Sequence, residues 1–66
     1  MNIGEALRYH REKANLNLTQ LGKAIGTSQQ NISRWEKNEV VPSIEFCIKL
    51  AEFYGITVDE LIGKKS

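Results

Sequence analysis

The stretch Leu18-Thr19-Gln20-Leu21-Gly22-Lys23-Ala24-Ile25-Gly26-Thr27-Ser28-Gln29-Gln30-Asn31-Ile32-Ser33-Arg34-Trp35-Glu36-Lys37 reads as two short helices joined by a tight turn. Leu18, Leu21 and Ile25, then Ile32 and Trp35, recur at helical spacing and can point into one shared core. Asn17 has the residue type of an N-cap, and Gln20 follows three positions on, as in a capping box. Gly26 stands where the first helix must stop, because glycine enters the left-handed region without a Cβ clash. Gly22 is small where the second helix must cross close over the first. Ser28 caps that second helix, which runs from Gln29 to about Lys37, with Asn38 suited to close it at positive φ. An ordinary helical hairpin shares small residues and turn glycines, so this pattern leaves both readings open.

The outer face of the second helix separates them. With Ile32 and Trp35 inward at about 100° per residue, Gln30, Ser33, Arg34 and Lys37 fall on the opposite side, with Gln29 at the leading edge. A merely solvated face would mix glutamate and lysine. This one offers amide, hydroxyl and guanidinium groups, and glutamine matches the edge of adenine as arginine matches that of guanine.

Working outward, Ile3, Leu7, His10 and Ala14 predict a first helix ending near Asn15. Ser43 caps a fourth helix that reaches Tyr54 before Gly55 breaks it. Thr57-Val58-Asp59-Glu60 is a capping box opening a short fifth helix with Leu61 and Ile62. No segment alternates with period two, so the expected class is all-α: a compact five-helix domain with a helix-turn-helix at helices 2 and 3, occupying residues 1–66 as a single domain.

Composition narrows the function. The chain has one cysteine, Cys47, and one histidine, His10, so neither an internal disulfide nor a metal cluster is expected, and no cofactor. The start of the chain lacks a signal-peptide core, and no apolar run is long enough to span a membrane, which fits a reducing cytoplasm. Paired catalytic carboxylates and nucleophile–base sets are also missing, so an enzyme is not expected, nor is a small-molecule ligand. Net charge is only +1, yet it is unevenly spread. Up to Asn38, six basic residues (Arg8, Arg11, Lys13, Lys23, Arg34, Lys37) face three acidic ones (Glu5, Glu12, Glu36). From Glu39 onward, three basic residues (Lys49, Lys64, Lys65) face five acidic ones (Glu39, Glu45, Glu52, Asp59, Glu60). A basic face set against an acidic remainder can steer an anionic partner.

Two charges lie on inward stripes: Arg11 with Leu7 and Ala14, and Glu36 with Ile32 and Trp35. A buried charge without a partner costs several kcal/mol, so Arg11 and Glu36 are expected to form a structural ion pair that orients the second helix of the motif. On helix 4, Cys47 shares a stripe with Ile44, Ile48 and Ala51 and reads as a small core residue. Phe46, Leu50 and Phe53 form a second stripe, making the apolar arc wider than a small core requires. Either helix 5 or helix 1 covers it, or it contributes to a dimer contact together with Leu61 and Ile62.

Taken together, Gly26-Thr27-Ser28-Gln29-Gln30-Asn31-Ile32-Ser33-Arg34-Trp35-Glu36 resembles the turn and recognition helix of the phage-repressor and Cro type of helix-turn-helix domain, the XRE-like family. Pro42-Ser43-Ile44, Leu50-Ala51 and Gly55-Ile56-Thr57-Val58-Asp59-Glu60-Leu61-Ile62 extend the resemblance over nearly the whole chain. The resemblance implies base contacts from Gln29, Gln30, Ser33 and Arg34. It implies phosphate contacts from Asn31, Lys37, Asn38 and Ser43 and from backbone N–H groups at helix starts. In one departure, the family usually places a phosphate-gripping glutamine where this chain has Leu18. The expected function is a bacterial or phage regulator, most simply a repressor, binding double-stranded DNA as a homodimer on a palindromic operator. The alternative is a protein-interaction module that keeps the fold and binds a partner through the apolar surface of helices 4 and 5.

Overall fold

The computed structural model describes residues 2–64. Among them are five helices and no strand: α1 (Ile3–Lys13), α2 (Leu18–Ile25), α3 (Gln29–Glu36), α4 (Ile44–Tyr54) and α5 (Val58–Leu61). Each helix starts on a side chain that accepts from the backbone N–H three residues on: Asn2, Asn17, Ser28, Ser43 and Thr57. Such caps contribute about 1 kcal/mol each, a large share of the stability of so short a chain. The Asn17/Gln20 and Thr57/Glu60 pairs complete reciprocal capping boxes. Left-handed residues end all five helices: Asn15 (φ 59°), Gly26 (φ 80°), Asn38 (φ 61°), Gly55 (φ 69°) and Gly63 (φ 80°) lie just past α1, α2, α3, α4 and α5.

Leu7, Leu21, Ile25, Ile32, Trp35, Cys47, Leu50, Ala51 and Leu61 form one core to which every helix contributes. Ile32, Leu50 and Leu61 are fully buried. α1 packs on α3, α2 on α3 and α4, and α5 closes the far side against α4 and α1. His10 helps that closure, its Nε2 lying 2.9 Å from the Glu60 carbonyl oxygen.

Helix α4 corrects the sequence expectation. Leu50 and Leu61, proposed as dimer residues, are core residues of the monomer and cannot also face a partner. Phe46 is half-buried with its ring 5.3 Å from that of Trp35, and Ile62 is half-buried against the core. Conversely, Ile44 and Ile48, read as inward neighbours of Cys47, are 66% and 46% exposed, whereas Cys47 and Ala51 are buried. The arc on α4 spans two stripes, and helical period alone does not say which one the neighbouring helices cover. Here Leu50 turns inward and the 44/48 edge is left in solvent.

Candidate nucleic-acid interface

The start of α3 is set by the turn before it. A Cβ on Gly22 would lie 2.6 Å from the Thr27 carbonyl oxygen, so glycine is what lets the turn fold back onto α2. The close approach is therefore made by the turn, rather than by the crossing of α3 expected from the sequence. Gly26 N and Thr27 N both donate to the Gly22 carbonyl, and Ser28 then accepts from Asn31 N. Ile32 and Trp35 enter the core, so α3 is buried on one side and open on the other.

The open side carries the expected set. Gln29, Gln30 and Arg34 are exposed and Ser33 is half-buried. These four line one shallow groove with Lys37, Leu18 and Glu39. Leu18 is half-buried: it packs against the core, as expected, and its outer side lines this groove. Among the described residues, neither Arg34 nor Lys37 makes an ion pair, so both cations face solvent. Gln29 is held from the side: Thr19 Oγ1 donates to its Oε1 at 2.9 Å.

The far end of α3 is fixed by charge. Arg11 grips Glu36 in bidentate fashion, Nε to Oε2 at 2.7 Å and Nη2 to Oε1 at 3.0 Å, while Nη1 donates to the Leu16 carbonyl at 2.9 Å. Both side chains are largely shielded from solvent, 13% and 9% exposed. The hydrogen bond to Glu36 raises the Arg11 pKa above its ordinary value, outweighing desolvation, so the guanidinium keeps its charge. Nearby, the Tyr54 hydroxyl is buried without a partner. Burial chiefly, and then the Glu36 carboxylate, push its pKa up to about 12, with Arg11 pulling the other way.

The expected phosphate contacts fare unevenly. Lys37 caps α3 and is exposed. Asn31 is exposed and donates one amide hydrogen to Thr27 Oγ1 at 3.0 Å, leaving the other free to donate. Ser43 accepts from Phe46 N as the α4 cap, which leaves its hydroxyl proton free to donate. Asn38 is different. Its Oδ1 accepts from Gly4 N at 2.9 Å and its Nδ2 donates to Asn2 Oδ1 at 3.0 Å, so this side chain ties the start of α1 to the end of α3. Its second Nδ2 hydrogen remains free to donate.

Three contributors were missed in the sequence. Asn2 caps α1, and its spacing to Glu5 was a readable signal. A Cβ on Gly4 would meet the Asn38 amide nitrogen at 2.7 Å and the Glu36 carbonyl, so only glycine lets α1 lie against the end of α3. Thr19 carries no local signal, because its partner is ten residues away on another helix.

Two helices at a glycine-tight turn, the second with a polar open face, match known proteins. The Helix-turn-helix family profile matches residues 7–61. The chain belongs to that family. This helix-turn-helix domain is 34% identical over 55 residues to an uncharacterized HTH-type transcriptional regulator of Methanocaldococcus jannaschii, covering 83% of each chain. It is 33% identical over 60 residues to repressor protein C2 of Salmonella phage P22, covering 91% of this chain and 28% of the repressor. The cryptic phage CTXphi transcriptional repressor RstR of Vibrio cholerae is 33% identical over 64 residues, covering 97% of this chain and 57% of RstR. In three dimensions the domain is similar to the P22 c2 repressor crystallised with a synthetic operator: TM-score 0.89, 31% identity, and 98% of both chains covered. The all-α architecture of the helix-turn-helix domain is thus that of a repressor seen on DNA.

Proposed function

We propose that this domain is a transcriptional regulator, most simply a repressor, that binds double-stranded DNA through the outer face of α3. The observation that carries the reading is the groove in which Gln29, Gln30, Ser33 and Arg34 stand together beside Lys37. Glutamine and arginine can make bidentate hydrogen bonds to adenine and guanine edges in the major groove, each such pair giving about 1–3 kcal/mol of discrimination. Lys37, Asn31 and Ser43, with backbone N–H groups at the starts of α2 and α4, are assigned to phosphates, which set register. The structural similarity to a repressor–operator complex supports the same docking of α3.

The operator is read as palindromic, bound by a homodimer whose α3 helices enter successive major grooves about one turn (~34 Å) apart. The dimer surface is assigned to Val41 (70% exposed), Ile44 (66%) and Val40, next to the half-buried Ile62. Repression follows by excluding polymerase from the bound site in the cytoplasm. The same aliphatic surface favours a second reading, a protein-interaction module whose partner docks there.

The test is selection from a random duplex pool, repeated at low and moderate salt. The DNA reading expects a two-fold symmetric site and affinity that falls as salt rises. No enrichment in either salt would refute it and leave the partner-docking reading.

A further inference from the structure

Among the four base-facing side chains, one is tied to the scaffold. Thr19 Oγ1 donates to Gln29 Oε1 at 2.9 Å, whereas Gln30, Ser33 and Arg34 make no side-chain hydrogen bond among the described residues. Thr19 is the second residue of α2 and Gln29 the first of α3, so this bond spans the motif at the point where α3 begins. No neighbouring polar group competes for the task. Asn17 and Gln20 are occupied with each other in the α2 capping box, and position 18 holds a leucine.

We infer that Thr19 is a positioning residue for base readout, holding the Gln29 amide edge-on to the groove. The inference rests on the DNA-binding reading above. A carboxamide oxygen has two lone pairs. Thr19 takes one of them on the side of α2. The second lone pair and the Nε2 hydrogens are left to accept from adenine N6–H and donate to N7. In water an exposed bond of this kind is weak, because solvent competes for both groups. Against DNA that competition falls and the bond strengthens. Holding a glutamine in advance also avoids the entropy lost on ordering it, a factor of roughly two to ten in affinity.

The hydroxyl can be removed without changing shape, since valine is close to threonine in outline. Affinities for all four base pairs at each operator position are compared for the full chain and for Thr19→Val, Thr19→Ser, Gln29→Ala and Thr19→Val/Gln29→Ala. Gln29→Ala identifies the base pair that Gln29 reads. Thr19→Val is expected to shrink the preference at that same pair by about fivefold and leave the other positions alone. Thr19→Ser, which keeps the hydroxyl, retains the preference, and adding Thr19→Val to Gln29→Ala changes nothing further. Thermal melting of Thr19→Val should match the parent chain. The inference is overturned if Thr19→Val weakens all sequences equally, leaves the preference intact, or multiplies with Gln29→Ala as an independent change. It is overturned equally if Thr19→Ser behaves like Thr19→Val. A parent chain that enriches no sequence would bring down the DNA reading itself, whereas enrichment with an unmoved preference removes only the part given to Thr19.

Discussion

The outer faces of α3 and α4 are both open to solvent, yet they are built from opposite materials. On α3 the face is Gln29, Gln30, Arg34 and Lys37, each able to donate hydrogen bonds. On and just before α4, alongside the charged Glu45, Lys49 and Glu52, it carries an aliphatic set, Val40, Val41, Ile44 and Ile48, none of which can. Exposure is therefore common to both, and hydrogen-bonding capacity divides them. One face suits a partner whose information lies in donors and acceptors, and the other suits a partner that is itself apolar. Both depend on the same scaffold, because the ion pair that holds the end of α3 also packs beside Tyr54 of α4.

Breaking that shared scaffold should have the largest effect. Glu36→Ala leaves the largely shielded Arg11 without its carboxylate and is expected to cost about 3 kcal/mol of folding stability. Chemical denaturation would show it, and an unchanged midpoint would mean that Arg11 finds water instead. Next comes the apolar face. Val41→Glu with Ile44→Glu should lower affinity for the palindrome by about 100-fold, through lost linkage of two sites, while single half-site binding and melting temperature hold. Equal weakening on half-sites would move the dimer contact elsewhere.

On the polar face, Arg34→Ala or Gln30→Ala should cost about 1–3 kcal/mol of binding and relax one base pair each, without change in melting. Lys37→Ala should instead weaken all sequences alike and reduce the slope of log affinity against log salt by about one. The smallest effect is expected at Tyr54→Phe, within about 0.5 kcal/mol at neutral pH, because the hydroxyl it deletes has no partner. The difference should appear in alkali. The folded-state pKa of Tyr54 is raised from 10.0 to about 12, so the contribution of its neutral form is complete below pH 10 and is lost as pH rises toward 12. The phenylalanine variant should lack that component of the alkaline decline.

The contrast between the faces also shows where sequence suffices. The open face of α3 was legible because two large inward residues, Ile32 and Trp35, fix the helix's rotation unambiguously. The caps at Asn17, Ser28, Ser43 and Thr57 were legible because capping is a matter of three or four neighbouring residues. Helix α4 was not, since apolar residues cover more than half its circumference and the choice between Leu50 and Ile48 is made by α5 and α2. Asn38 shows the same limit more narrowly. Its positive φ could be read from its type, but the bonds to Gly4 and Asn2 come from chain more than thirty residues away.

The lone thiol of Cys47 sits in the core, 8% exposed, with Sγ 3.8 Å from the Pro42 carbonyl oxygen and its pKa raised by burial. A reagent can reach it only when the domain opens, and the thiolate it needs is scarce while the domain is closed. The rate at which Cys47 is labelled is thus a clock for opening, readable without introducing any residue. On the DNA-binding reading proposed above, a selected duplex holds the closed form and should slow that clock in proportion to its saturation.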